Sequence, residues 1–198
     1  MLDIERVEQQ LGRKPEGFQQ VVKRNRDGWP AIIRVASLVG STPFPTLFWI
    51  SDPCLNRLIH QLESGGLTAT IQQQLDESES LGQRLEEDHR AHIRLRDSFL
   101  TCDIREKLSQ MDRWNVLNER GIGGVANFRR VRCLHAFMAA HAVVPNVVGE
   151  LLTRLLSPDA ELMVFLAGLS DGSLSDGSLS DGSKKESLPA LTKSPSTE

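Results

Sequence analysis

Residues 30–50 read P-A-I-I-R-V-A-S-L-V-G-S-T-P-F-P-T-L-F-W-I, and this stretch decides the fold class. Two short runs rich in branched and aromatic residues, 30–39 and 45–50, flank the turn sequence G-S-T-P at residues 40–43. Such runs around a glycine–proline turn are typical of a β-hairpin, in which proline is confined to a strand start or to an edge strand. We therefore predict a small antiparallel hairpin near the N-terminus.

The remainder of the body has helical periodicity. Asp52 suits the cap of a helix that begins at Pro53, and apolar residues then follow with the spacing of one helix face. Asn127 is a candidate cap for a later helix that Pro145 would interrupt. We predict an α+β fold, mostly α-helical, with the hairpin packed on a helical bundle. The other predicted helices cover residues 2–11, 17–23, 67–75, 80–100, 104–117, 129–141, 147–156 and 160–166.

The C-terminal residues differ in composition from the body. Residues 169–183 read L-S-D-G-S three times in succession, and a polar segment with Pro189 and Pro195 follows. A repeat of Ser, Asp and Gly cannot bury a core, which is typical of disordered segments. We predict a single globular domain over residues 1–168 and a disordered, low-complexity tail over residues 169–198.

The charge balance argues against several classes of partner. The 198 residues carry a net charge of −3, and five acidic residues and three lysines after residue 169 account for −2 of it. A nearly neutral body does not indicate binding to nucleic acid or to an anionic membrane. The N-terminal M-L-D-I-E-R-V-E is unlike a secretion signal, and three cysteines without a close-spaced pair indicate reduced thiols. We predict a cytoplasmic protein.

The chemistry of the chain is concentrated in residues 121–138, G-I-G-G-V-A-N-F-R-R-V-R-C-L-H-A-F-M. Residues 120–149 contain four arginines and no Asp or Glu. Guanidinium groups bind phosphate and carboxylate, and a glycine turn can add backbone donors, although the string is neither a P-loop nor a dinucleotide fingerprint. We predict a small anionic ligand here; the alternative is an ordinary glycine turn beside a solvated arginine face. The candidate ligand-binding residues are Gly121, Gly123, Gly124, Arg129, Arg130, Arg132, Arg96 and Arg24.

Cys133 and His135 are the candidate catalytic residues. A cysteine near several arginines suits a nucleophile, and the histidine suits a general acid or base for phosphoryl or acyl chemistry. Two residues apart on a helix, the two side chains would point about 200° apart, so each would need other partners. The alternative is a small core cysteine and a structural histidine, and no particular cofactor is indicated.

A metal site would need three or four ligands. His89 and His92 share one face of a predicted helix, and Cys133 and His135 could complete a set if the fold brought them together. The segment E-E-D-H-R-A-H-I-R-L-R lacks any recognised ligand spacing, and surface salt bridges are the commoner role for such a helix. We predict no metal site.

Several strings resemble one bacterial family, the domain of unknown function 501. They are R-N-R-D-G-W-P at residues 24–30, T-P-F-P-T-L-F-W-I-S-D-P at residues 42–53 and V-R-C-L-H-A at residues 131–136, together with the helix that carries His89 and Arg96. The resemblance covers most of the body and implies no activity, as the family name states.

One difference from that family bears on a metal or redox site. Family members often carry cysteine where this chain has Asn25 and Asp52. Such cysteines, together with Cys133 and His135, would imply a metal or redox site. Two of those thiols are absent from this chain, and the resemblance therefore does not extend a metal site to it.

A non-catalytic interaction protein is the alternative function. In that case the hairpin edge or the arginine-rich segment would dock on a protein partner. A concave pocket where arginines meet Cys133 and His135 would favour the ligand; a flat arginine face beside an exposed apolar patch would favour the partner. If the ligand hypothesis is right, Arg132→Ala should abolish binding.

Overall fold

A computed structural model describes residues 1–172, which form nine α-helices and a small antiparallel sheet near the N-terminus. The prediction of a mostly α-helical α+β fold with an N-terminal hairpin is confirmed. No helix in these residues is both long and apolar enough to span a bilayer. The helices are α1 (Asp3–Leu11), α2 (Pro53–Ser64), α3 (Leu67–Glu77), α4 (Glu79–Ser98), α5 (Cys102–Gln110), α6 (Trp114–Asn118), α7 (Leu134–His141), α8 (Val147–Leu155) and α9 (Glu161–Leu166).

The predicted hairpin forms the centre and one edge of the main sheet. Ile32 pairs with Ile50, and Arg34 pairs with Phe48. Pro30 is the first residue of the central strand β2. Proline has no amide hydrogen to donate, and the start of a strand is a position where it is tolerated. The strands are β1 (Phe18–Arg24), β2 (Pro30–Val35), β3 (Leu38–Val39), β4 (Thr42–Pro43), β5 (Phe48–Ile50) and β6 (Ser170–Asp171); the main sheet has the order β5-β2-β1-β6, and β3 and β4 pair separately.

The helix predicted over residues 17–23 is wrong, because this segment is strand β1. It pairs antiparallel with β2 along its length, with Val21 opposite Ile33. Val21 packs in the cluster under α1, whereas Val22 packs in the main core. Neighbouring residues that face opposite sides of the sheet are typical of a strand. The alternation of apolar and polar residues is hard to recognise in the sequence because glutamines lie beside the two valines.

The main sheet lies between α1 and the helical bundle. On one face Val7 of α1 packs against Val21, Ile33 and Val35. On the other face Ile32 and Phe48 belong to the large core that the bundle shares. β2 is therefore buried on both faces, which explains its nearly continuous apolar sequence.

The start of the C-terminal repeat belongs to the sheet. Asp171 pairs with Lys23 across the β6–β1 edge, and the Gly172 amide donates to the Val22 carbonyl at 3.1 Å. The first L-S-D-G therefore adds an edge strand, whereas we expected the tail to begin at residue 169. The rest of the predicted tail, residues 173–198, lies outside the described residues.

Two predicted helices have different bounds in the structure. The segment 104–117 is divided into α5 and α6 because Asp112 takes a left-handed backbone conformation, with φ of 51°. The helix predicted from residue 129 begins at Leu134 instead. Gln72 of α3 engages the backbone of the preceding segment: its side-chain amide donates to the Arg129 carbonyl and accepts from the Val131 amide.

Candidate functional site

The glycine turn is held by hydrogen bonds within the protein. Ile122–Gly124 form a single 3₁₀ turn, and Gly123 and Gly124 have φ of 69° and 73°. The amides of Gly121 and Gly124 donate to backbone carbonyls, and the Ile122 amide donates to His89 Nδ1 at 2.9 Å. These three amides are consequently engaged, and the turn does not offer them to an anion. The turn is also separated from the start of α7 by residues 125–133, which form no helix.

The arginines after the turn do not converge on one point. Arg129 pairs with Glu79 and Glu86 of α4, and Arg130 pairs with Asp76 of α3 at 3.2 Å. Arg132 is exposed. The arginine-rich segment itself contains no Asp or Glu, so the carboxylates that pair with its arginines come from α3 and α4.

Arg24 and Arg96 are also engaged elsewhere. Arg24 is buried and forms a bidentate pair with Asp3 of α1. Arg96 is fully buried in α4 and donates to the carbonyls of Pro45, Leu117 and Arg120. Both arginines connect separate segments of the fold.

His89 and His92 are buried rather than exposed, whereas the surface salt bridge expected of their segment forms between Arg90 and Glu86. The His89 ring stacks on Phe128 with 4.9 Å between ring centroids and accepts the Ile122 amide. The His92 ring meets the edge of Phe48. Burial lowers the pKa of His89 to about 4, and burial together with the charge of Arg96 lowers the pKa of His92 to about 3.

The buried histidines predict loss of stability in acid. Below pH 6.5 the unfolded chain gains a proton on His92 that the folded protein does not take up, so the free energy of unfolding falls as pH falls. Between pH 7 and pH 5 this site should cost about 2 kcal/mol. We expect the wild type to lose about that much more than His92→Leu in urea unfolding at the two pH values.

The comparison of the two proteins removes the opposing effect of Asp88. Burial raises the pKa of this aspartate to about 6, so it stabilises the folded protein as pH falls, and it is present in both proteins. Equal losses in wild type and variant would contradict the assignment to His92.

Cys133 and His135 lie together, contrary to the expectation that they diverge. Cys133 is the N-cap of α7 with an extended backbone (φ −152°), so the angular spacing of a helix does not apply to it. Its Sγ lies 3.8 Å from His135 Nδ1. Glu63, near the end of α2, places Oε2 3.1 Å from the same nitrogen, and its Oε1 accepts the Leu134 amide.

The opposite nitrogen of His135 is held by α2. Nε2 lies 3.2 Å from the Asn56 carbonyl oxygen, which can only accept, so this nitrogen carries the proton. The hydrogen bond with Cys133 raises the pKa of His135 to about 9, with Glu63 contributing and burial opposing. The ring is thereby fixed in orientation from both sides.

Cys133 and His135 line an open cleft of about 410 Å³ between the end of α1, β5, α2 and α7. Of the three predicted glycines, Gly123 lines this cleft in the part of the chain that the structure describes. The guanidinium of Arg13 lies over the Trp49 ring, 5.4 Å from its centroid. Other polar or aromatic groups in the wall are Thr46, Phe48, Trp49 and Asn56.

Sequence reasoning missed Glu63 and Arg13 as site residues. Glu63 and Asn56 are seven residues apart on α2, which places them on one face two turns apart, and both contact His135. That spacing is visible in the sequence, but nothing local links it to residue 135. Arg13 follows the Gly12 that ends α1, and only the packing of α1 on the sheet brings it to Trp49.

The comparisons agree with the resemblance found in the sequence. The family model for Protein of unknown function (DUF501) matches residues 21–154, and the chain belongs to this family. A search of curated proteins and a search of solved structures gave no match. The matched span contains Glu63, Cys133 and His135, whereas Arg13 lies before it.

Proposed function

We propose that the protein binds a small anionic ligand, a phosphate or carboxylate compound, in the cleft beside Cys133 and His135. The observation that supports it most is the position of Arg13. Its guanidinium lies on Trp49 at the cleft wall, and no carboxylate within the described residues pairs with it. A guanidinium with free donors on an aromatic surface is suited to bind an anion with two hydrogen bonds.

The form of the cleft is consistent with a small molecule. Its volume of about 410 Å³ falls within the range of small-molecule sites, roughly 300–1,000 Å³. Apolar and aromatic groups from β5 line the cleft, and Thr46, Asn56 and His135 supply a few polar groups. Such a wall favours a ligand with an apolar part and one anionic group, bound with the anion toward Arg13.

The test is a binding measurement with a matched pair of arginine variants. Purified reduced protein is screened by thermal shift against inorganic phosphate, nucleotides and small carboxylates, and a hit is titrated by calorimetry. We expect Arg13→Ala to weaken binding about tenfold or more, because a hydrogen bond to a charged group contributes about 1.5–3 kcal/mol. Arg154→Ala, which removes an exposed arginine of α8 away from the cleft wall, should bind as the wild type does.

Arg132→Ala tests the original sequence hypothesis in the same assay. Arg132 is exposed and directly precedes Cys133, so loss of binding in this variant alone would move the anion site to the arginine-rich segment. Equal binding by the Arg13 variant and the wild type would overturn the proposal. Absence of any hit would favour the interaction protein instead.

A further inference from the structure

We infer that Glu63, Cys133 and His135 form a three-ligand site for a zinc-type divalent cation, with its fourth position open to the cleft. The site goes beyond anion binding and does not depend on it. It replaces the expectation from the sequence that the chain has no metal site. Four observations carry the inference.

The first observation is the convergence of three different ligand atoms. One sulfur, one imidazole nitrogen and one carboxylate oxygen lie within 4.8 Å of one another. Tetrahedral zinc with bonds of about 2.3 Å to sulfur and 2.0 Å to nitrogen and oxygen requires separations of about 3.5 Å for S···N and 3.3 Å for N···O. The Sγ–Nδ1 and Nδ1–Oε2 distances are 3.8 Å and 3.1 Å, close to those edges.

The second observation is the orientation of the ligands. His135 Nε2–H donates to the Asn56 carbonyl, so the proton that a bound cation would replace is the one on Nδ1, and the lone pair freed there faces Cys133 and Glu63. Metal-binding histidines commonly donate their other ring N–H to a carbonyl or carboxylate in this way. The Leu134 amide holds the remaining oxygen of Glu63. Each of these two ligands therefore has the outer hydrogen bond that such sites use.

The third observation separates a metal site from a Cys–His–Glu catalytic triad. In a triad the nucleophile and the acid occupy opposite nitrogens of the imidazole, so that the acid orients the ring. Here Cys133 and Glu63 approach the same nitrogen, Nδ1, while Nε2 is occupied by a backbone carbonyl. Three ligand atoms therefore face one point, where a cation would take the place of the Nδ1 proton.

The fourth observation is access and donor chemistry. The side chains of His135 and Glu63 are 23% and 24% exposed, and Cys133 and His135 line the cleft, so an ion can enter and retain an exchangeable ligand. A mixed set of sulfur, nitrogen and oxygen favours zinc, whereas magnesium and calcium prefer oxygen alone. Three protein ligands are typical of zinc sites whose fourth position holds water or substrate, whereas structural zinc sites have four protein ligands.

The test uses the metal alone on the full-length, chelator-treated protein. We expect zinc to bind with 1:1 stoichiometry in competition with a chromophoric chelator, and magnesium to produce no change. Cobalt should give the thiolate-to-metal charge-transfer band of a Cys-ligated site. Cys133→Ser should abolish that band and weaken zinc binding about 100-fold or more, and Glu63→Gln about tenfold, because a ligand contributes at least as much as the outer contacts that cost 10–100-fold.

Two matched controls and one measurement on the wild type complete the experiment. Cys54→Ser and Cys102→Ser remove the other two thiols and should retain the band and the affinity. If Cys133→Ser does not fold, zinc should still slow alkylation of Cys133 in the wild type, measured by mass spectrometry. Equal alkylation with and without zinc, or zinc binding that survives Cys133→Ser, would overturn the site. Since no anion is present, these results are independent of the ligand screen.

Discussion

Arg96→Ala should lower the free energy of unfolding by about 3–5 kcal/mol, measured by urea denaturation at neutral pH. Arg96 is fully buried, and its guanidinium donates to the carbonyls of Pro45, Leu117 and Arg120. Burial lowers its pKa only to about 10, so the group is charged at neutral pH. Removing it leaves those carbonyls without their donor and opens a cavity in the helical core.

The three carbonyls explain why this arginine matters to the site. Pro45 directly precedes Thr46 of the cleft, Leu117 is in α6, and Arg120 directly precedes the glycine turn. Arg96 therefore connects α4 to the segments on two sides of the cleft. The five donors of a guanidinium are spread over three nitrogens and can reach acceptors that lie apart, whereas the three donors of a lysine ammonium share one nitrogen.

Two further variants separate this role from a simple loss of charge. Arg94→Ala removes an exposed arginine of the same helix and should change stability by less than about 0.5 kcal/mol. Arg96→Lys keeps the charge, and we expect it to remain clearly destabilised because a single ammonium nitrogen has to replace the two guanidinium nitrogens that reach the three carbonyls. An Arg96→Ala protein within about 1 kcal/mol of the wild type would contradict the structural role.

Local signals in the sequence were sufficient for much of the fold. Asp52 caps α2 as predicted, with its carboxylate accepting the Leu55 amide, and the glycine pair at residues 65–66 ends that helix. The hairpin pairing of β2 with β5 followed from its branched and aromatic residues and its turn. These elements are specified by neighbours in the chain, and a single sequence displays such neighbours directly.

The errors have long-range causes. The start of α7 was misplaced because Gln72, from a different helix, satisfies the backbone of residues 129–131. The sequence predicts an anion site or a solvated face at the arginine segment, because the carboxylates that pair with it, including Glu79 and Asp76, are about fifty residues away in the chain. Local composition does not predict such contacts, because they form only when the helices pack together.

Two residues of the candidate site are also candidates in the sequence. Cys133 and His135 were identified as the residues to test, and the structure places them in the wall of a cleft. Their third neighbour, Glu63, is seventy residues earlier in the chain from Cys133 and is brought to them by the packing of α2 against α7. The sequence therefore indicates Cys133 and His135 as candidates, but it does not show that Glu63 joins them.

Gly121→Ala should lower the free energy of unfolding by about 2–4 kcal/mol, although alanine suits the backbone at this position. Gly121 has φ of −83°, so no left-handed strain is involved. A Cβ there would lie 2.2 Å from His89 Nδ1 and 2.6 Å from its Cγ. The His89 ring is packed between Phe128 and Phe137 and cannot move aside without giving up the hydrogen bond from the Ile122 amide.

The matched control is Gly40→Ala. At residue 40 the backbone conformation is unfavourable for alanine, but there is space for the added methyl group. Gly40 has φ of +59° and nothing within 4 Å of an added Cβ, so alanine there costs only about 1–2 kcal/mol of backbone strain. A greater loss for Gly121→Ala, seen by urea unfolding, would show that this glycine is required for close approach to a buried histidine. A greater loss for Gly40→Ala would contradict that explanation. On this explanation, the first glycine of the G-I-G-G turn is required for packing against His89 and not for contact with an anion. In the proposed site the anion is held by side chains of the cleft.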